Sequence, residues 1–136
     1  MRLLTAWWHD RASSTVKGEV GQFLEAAGYI VAPVTIDSSE WMYAYAYDIA
    51  LDRHDVALAS RIAGLYIRYM SPVFDCYERL LRDLFQREPA QILLIHANRL
   101  HADYIDALTH MIRERGYSFI SLQEALSDPA YLSTDT

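Results

Sequence analysis

The chain contains very little cysteine, and this scarcity excludes two kinds of structure. A single cysteine, Cys76, occurs among the 136 residues. One thiol cannot form a disulfide within the chain, and it cannot supply the several sulfur ligands of a cysteine-based metal site. The sequence therefore predicts a fold that is stabilised by its apolar core, without an internal disulfide or a cysteine-built metal centre.

Long apolar runs are also absent. A helix that crosses a membrane needs about 18 or more consecutive apolar residues, and no segment of this chain approaches that length. The apolar stretch at residues 3–8 is too short for a secretory signal, and no small-residue cleavage site follows it. We therefore expect a cytoplasmic protein as the chain stands; an export signal on a missing N-terminal part is left open.

Positive charge is scarce as well. Lysine and arginine number 12 against 18 acidic residues, which gives a net charge of −6 and no basic cluster, so nucleic-acid binding is disfavoured. Hydrophobic residues make up 52% of the chain and charged residues 22%, which is enough apolar surface for a core. We interpret residues 1–131 as one domain, or part of one, followed by a flexible tail at 132–136.

A short apolar run at residues 92–95 ends in a histidine, His96. A Glu-Pro pair precedes the run and a helical period follows it, which is typical of a buried strand that leads into a helix. Polar residues at the carboxyl ends of such strands carry the chemistry of many α/β folds, so His96 is the first functional candidate. The alternative is a histidine that ends a strand and hydrogen-bonds a nearby carbonyl.

The order of elements predicts an α/β fold. A helix, a Gly-Tyr pair and a strand follow one another at Gly28-Tyr29 and again at Gly116-Tyr117. With the strands predicted at 29–36, 92–95 and 117–121, and a further strand or buried loop near residues 3–8, three or four parallel strands result. This number is too small for an eight-stranded barrel, so we expect a small open sheet or part of a larger structure.

The middle of the chain is predicted to be helical. One helix is expected from residue 41 to about 51, and a second from about residue 54 to 86, with Ser71-Pro72 kinking or splitting it. Tyrosines recur along the second helix at spacings of three and four, and we interpret them as core and packing surface rather than as a binding site. A further amphipathic helix is predicted at 103–115.

Three blocks of the sequence resemble the C-terminal half of a polysaccharide deacetylase, the NodB-homology domain of carbohydrate esterase family four. The blocks are residues 35–41, 93–98 and 115–126, with sequences TIDSSEW, LLIHAN and RGYSFISLQEAL. Their order fits that family, including the long helical insert between the first two, and the resemblance covers about residues 16–131. It implies a partial (β/α) barrel with about three or four parallel strands.

The resemblance also implies an activity. Members of the family remove acetyl groups from carbohydrates with a divalent metal, often zinc. By this resemblance His96 matches the general acid and Leu94 the residue that lines the acetyl pocket. Asp37 matches the aspartate that orients the catalytic groups, and Trp41 matches the aromatic wall of the substrate site.

The metal-binding blocks of the family are not found in the sequence. There is no Asp-Asp pair, and no two of the five histidines lie four residues apart. No residue is therefore assigned to a metal, and it is open whether this chain is an enzyme. The alternatives are a non-catalytic truncated scaffold and a small α/β interaction module. Because a half-domain would expose an apolar edge, we expect self-association or a complementing N-terminal half as partner, besides acetylated carbohydrate.

Overall fold

A computed structural model describes the backbone of residues 2–5 and 14–131, and the side chains of residues 15, 16 and 18–131. The elements in chain order are β1 (Arg2–Thr5), α1 (Ser14–Ala26), β2 (Tyr29–Ala32), α2 (Glu40–Asp52), α3 (Val56–Phe85), α4 (Arg99–Glu114) and α5 (Leu122–Ala125), and a 3₁₀ turn follows at Pro129–Tyr131. The predicted tail at 132–136 and the pair His9-Asp10 lie outside the described residues.

The predicted α/β architecture is wrong, because helices dominate the described part of the chain and no barrel-like sheet is formed there. Among the described residues, regular strand pairing is confined to β1 and β2, which run parallel over four residue pairs from Arg2–Tyr29 to Thr5–Ala32. The strand expected at 29–36 therefore ends at Ala32, and residues 117–121 form no strand. The apolar run at 92–95 contributes a single parallel bridge, between Leu93 and Ile36.

A side-chain hydroxyl explains why pairing beside Ile36 stops after one bridge. The backbone N–H of Ile92 donates to Thr35 Oγ1 at 2.7 Å. In a regular strand ladder this N–H would donate to a backbone carbonyl instead. The N–H groups of Thr35 and Ile36 both donate to the Ile92 carbonyl, at 3.0 and 3.1 Å. Since Pro33 has no N–H, the chain before Thr35 also lacks a donor for a regular ladder.

Helix α3 begins and ends where local side-chain chemistry favours a boundary. Asp55 caps its start by accepting from the Leu58 N–H at 2.9 Å, and Gln86 ends it in the left-handed conformation at φ 55°. The helix is continuous over 30 residues and includes Pro72, so of the two predicted alternatives at Ser71-Pro72 the split is wrong, whereas the kink stays a prediction. Within the described ranges, none of the helices has the length and apolar character that a bilayer crossing requires.

The core lies between α2, α3 and α4. The buried residues of each helix recur at spacings of three, four or sums of these, which places them on one face. The buried members of this cluster are Ile36, Ala44, Tyr47, Ala50, Ala59, Ala63, Tyr66, Met70, Phe74, Leu100, Leu108 and Ile112. Tyr66 has no exposed surface, so the interpretation of the α3 tyrosines as packing surface is confirmed for Tyr66, the first of them.

A carboxylate near the end of the described chain fastens the 3₁₀ turn to the segment after α3. Asp128 accepts from both Arg87 guanidinium nitrogens, from the Ala90 N–H at 3.1 Å and from the Ala130 N–H at 2.8 Å. The Arg87 hydrogen bonds, helped by those two backbone donors, hold the pKa of Asp128 well below its usual range. The charged form of Asp128 is therefore favoured in the folded state.

Stability should consequently fall in acid. A carboxyl whose pKa is lower in the folded than in the unfolded chain stabilises the fold above the unfolded pKa of about 3.9, and this contribution is lost as pH falls towards the folded pKa. The unfolding free energy is measured by urea unfolding at neutral pH and at pH values below about 4. We expect it to fall less between these pH values in Asp128→Asn than in the unsubstituted chain. An unchanged pH dependence in this variant would contradict the assignment.

Candidate active site

The single bridge between Ile36 and Leu93 brings the site together. Both segments run in the same direction, and the Leu94 N–H donates to the Ile36 carbonyl at 3.0 Å. The chain leaves both segments at the same end, so the residues that follow Ile36 meet those that follow Leu94. Glu40, the first residue of α2, thereby comes next to His96.

Glu40 and His96 form a close pair between a buried carboxylate and an exposed ring. Glu40 Oε1 lies 2.5 Å from His96 Nδ1, and their side chains are 2% and 62% exposed. Because a carboxylate only accepts, the proton of this bond sits on Nδ1. None of the described residues hydrogen-bonds Nε2, and the His96 side chain is 62% exposed. This is the geometry in which a carboxylate fixes the tautomer of a histidine that transfers protons.

The second oxygen of Glu40 is bound by Asn98. The Asn98 amide donates from Nδ2 to Glu40 Oε2 at 2.9 Å, while its Oδ1 accepts from the His101 N–H at 2.8 Å and so caps α4. Both oxygens of the buried carboxylate therefore have donors, as a buried charge requires. His101 Nδ1 lies 3.9 Å from Glu40 Oε2, so the His101 ring is close to the carboxylate as well.

Behind the pair lies a second histidine, His101, which is only 5% exposed. Its Nδ1 lies 2.7 Å from the backbone oxygen of His96, and its Nε2 lies 2.8 Å from the Tyr66 hydroxyl. The two rings meet edge to face, with centroids 5.5 Å apart. Burial, together with the negative charge of Glu40, raises the pKa of Tyr66, so the phenol stays protonated and can donate.

An open cavity of about 740 Å³ lies over His96. The described residues that line it are Ile95, His96, Ala97, Asn98, Arg99, His101, Ala102 and Ile105. This volume is within the range of small-molecule sites. Arg99 also contacts Asp52 on α2 at 2.8 Å, so one cation stands at the edge of the cavity.

The other predicted site residues lie around this centre rather than in it. Asp37 lines a separate cavity of about 440 Å³ with residues of α3. Glu40, three residues further on, holds the position on His96 Nδ1 for which the resemblance suggested Asp37. Leu94 is half-buried beside Ile36, and Trp41 is 64% exposed on the first turn of α2. The substrate roles of Leu94 and Trp41, and the role of Asp37, stay predictions.

The described residues do not fit the metal centre that the resemblance implies. Across the described ranges, no group of three or more histidine, cysteine, aspartate or glutamate side chains could hold a metal ion. Glu40, His96 and His101 come close together, but both ring nitrogens of His101 are already engaged, by His96 O and by Tyr66. We therefore assign no metal ligand and derive no step through a metal.

Comparison of the chain with protein-family models, with curated proteins and with solved structures yields no match. The resemblance to carbohydrate deacetylases therefore depends on the three sequence blocks alone.

Proposed function

We propose that this chain takes part in the hydrolysis of acetyl groups on a carbohydrate, with His96 as the residue that transfers the proton. The pairing of the exposed His96 ring with the buried Glu40 carboxylate carries the proposal. The sequence blocks around Asp37 and His96 supply the substrate class, because they resemble those of carbohydrate deacetylases.

The chemistry follows from the two ring nitrogens. Water attacks the acetyl carbonyl while Nε2 of the neutral His96 ring takes its proton, which gives a tetrahedral intermediate and an imidazolium. The sugar nitrogen or oxygen of that intermediate needs a proton before it can leave. The protonated His96 ring donates that proton from Nε2 and keeps the other on Nδ1, where Glu40 accepts it. The negative charge of Glu40 stabilises the imidazolium until that transfer.

Replacing His96 tests the proposal directly. We expect the purified chain to release acetate from N-acetylated chito-oligosaccharide, and His96→Ala to lower the rate by about 10²-fold or more, since general acid–base groups contribute factors of this size. Release is measured as free acetate, with zinc supplied and with zinc chelated, because the resemblance implies zinc.

His110 provides the matched control. It is a histidine of α4 whose side chain is 73% exposed and pairs with Glu114 at 3.2 Å, away from the cavity. His110→Ala should leave the rate within about twofold of the unsubstituted chain, since surface changes of this kind have small effects. Equal losses in both variants, or no release by the unsubstituted chain in either arm, would overturn the proposed function and favour a non-catalytic scaffold.

We further propose that the partner of this chain is a second copy of itself. Ile95, Phe119 and Ile120 are 38%, 54% and 46% exposed and line an apolar cavity of about 280 Å³ next to Ile92 and Leu93. Exposed apolar surface of this kind favours association. Sedimentation velocity should show a concentration-dependent dimer that Phe119→Ser weakens. A monomer at every concentration would contradict this proposal.

A further inference from the structure

His101 is a buried titratable residue that the proposed proton transfer does not use. It lies in the first turn of α4, five residues after His96, and its side chain is 6% exposed. Each of its polar atoms is nevertheless engaged: the backbone N–H by Asn98, Nδ1 by the His96 carbonyl and Nε2 by Tyr66. A buried polar group with this many partners fixes the geometry around it.

The contacts of His101 define one tautomer. A backbone carbonyl can only accept, so Nδ1 must carry a proton to bond His96 O. In the neutral ring Nε2 is then an acceptor, and the protonated Tyr66 hydroxyl donates to it. The chain of donors therefore runs in one direction, from Tyr66 through His101 to the backbone oxygen of His96.

We propose that His101 is the positioning residue of the site: it holds the backbone at His96 so that the His96 ring meets Glu40. The effect of this positioning on catalysis rests on the proposed function, whereas its effect on the geometry around His96 does not. Without the bond from Nδ1, the His96 carbonyl is free to turn, and residues 96–98 can move with it. Asn98, which lies in that segment, would then lose its hydrogen bond to Glu40 Oε2.

The first readout needs no substitution. In protein labelled with ¹⁵N at histidine, long-range ¹H–¹⁵N correlation distinguishes a protonated from an unprotonated ring nitrogen. We expect His101 at neutral pH to show a protonated Nδ1 and an unprotonated Nε2. The opposite tautomer, with the proton on Nε2, would overturn the proposal, because Nδ1 could then not donate to His96 O.

Two amide substitutions separate the two bonds of the ring. Asparagine at position 101 places an amide nitrogen where Nδ1 stood, so His101→Asn keeps the donor to His96 O and loses the acceptor for Tyr66. Glutamine places its amide near Nε2, so His101→Gln keeps a partner for Tyr66 and loses that donor. We expect His96 to keep a protonated Nδ1 in His101→Asn and to become a mixture of tautomers in His101→Gln.

Both variants are first compared by far-UV circular dichroism, which reports whether the helices are retained. A His96 signal that changes equally in both variants would overturn the positioning role, and so would a signal that changes in neither. These readouts do not depend on acetate release, so failure of the proposed function leaves them interpretable.

Where release is observed, kcat in His101→Gln should fall on the order of tenfold with KM little changed, since misplacement of a catalytic group acts mainly on the chemical step. His101→Asn should retain most of kcat. A loss confined to KM in His101→Gln would indicate a substrate contact and would contradict positioning.

Discussion

Replacing Glu40 with glutamine is expected to lower acetate release by about 10²- to 10⁴-fold, the range over which loss of an oriented proton-transfer group acts. The side chain keeps its size, and we expect the helices to be retained. Only the charge and the pattern of donors and acceptors change, so the variant isolates the electrostatic role of the carboxylate.

We expect this loss because Glu40 accepts hydrogen bonds from two donors in the unsubstituted chain. Its oxygens bind His96 Nδ1 at 2.5 Å and Asn98 Nδ2 at 2.9 Å. A glutamine amide has one oxygen and one NH₂, so one of these donors would face another donor. If the NH₂ faces His96, the ring must place its proton on Nε2 instead of Nδ1, and the imidazolium loses its counter-charge.

Asp37→Asn is the matched control, because it neutralises the carboxylate that the resemblance assigned to the orienting role. We expect its rate to fall less than that of Glu40→Gln, since the observed partner of Nδ1 is Glu40. The tautomer of His96, read from its ¹⁵N shifts, should switch only in Glu40→Gln. A larger loss in Asp37→Asn would return the orienting role to Asp37.

Helix boundaries were the part of this fold that local sequence could predict. Gly28 and Gly116 take the left-handed conformation, at φ 76° and 90°, where the sequence placed helix ends. Ser121 accepts from the Glu124 N–H at 3.1 Å, which is the cap expected of a serine three residues before a glutamate. These signals depend on neighbours a few residues away, so the sequence contains them in full.

The strands failed as predictions for the opposite reason. A strand is stabilised by a partner that is distant in sequence, and periodicity does not report whether the partner pairs. Residues 92–95 have the apolar pattern of a buried strand, but the Thr35 hydroxyl takes the Ile92 N–H and the ladder ends. An apolar run is therefore compatible with a single bridge as well as with a sheet.

The candidate site could be located from the sequence only in part. His96 was predicted because it follows an apolar run, and it lies just beyond the bridge between Ile36 and Leu93. Its functional role stays a prediction. Glu40 was missed, because a glutamate at the start of a helix is also what the helix dipole favours. Helical spacing does not link His101 to His96, because residues five apart in a helix lie on different faces; His96 precedes α4, so that spacing does not govern this pair.

Replacing Tyr66 with alanine is expected to lower the unfolding free energy by about 3–5 kcal/mol, because the transfer energy of a buried aromatic side chain is lost and a cavity remains. Tyr66 is completely buried among α2, α3 and α4, and its ring lies 5.7 Å from that of Tyr43. For a small domain this loss is a large part of the total stability.

Urea unfolding of three variants separates packing from hydrogen bonding. Tyr66→Phe keeps the ring but leaves His101 Nε2 without its donor, and an unsatisfied buried acceptor costs about 1–3 kcal/mol. Tyr45→Ala, at a tyrosine of α2 that is 68% exposed, should change stability by no more than about 0.5 kcal/mol. Equal losses in Tyr66→Ala and Tyr45→Ala would contradict the core assignment. A Tyr66→Phe variant as stable as the unsubstituted chain would show that His101 finds another donor, because the ring itself is still in place.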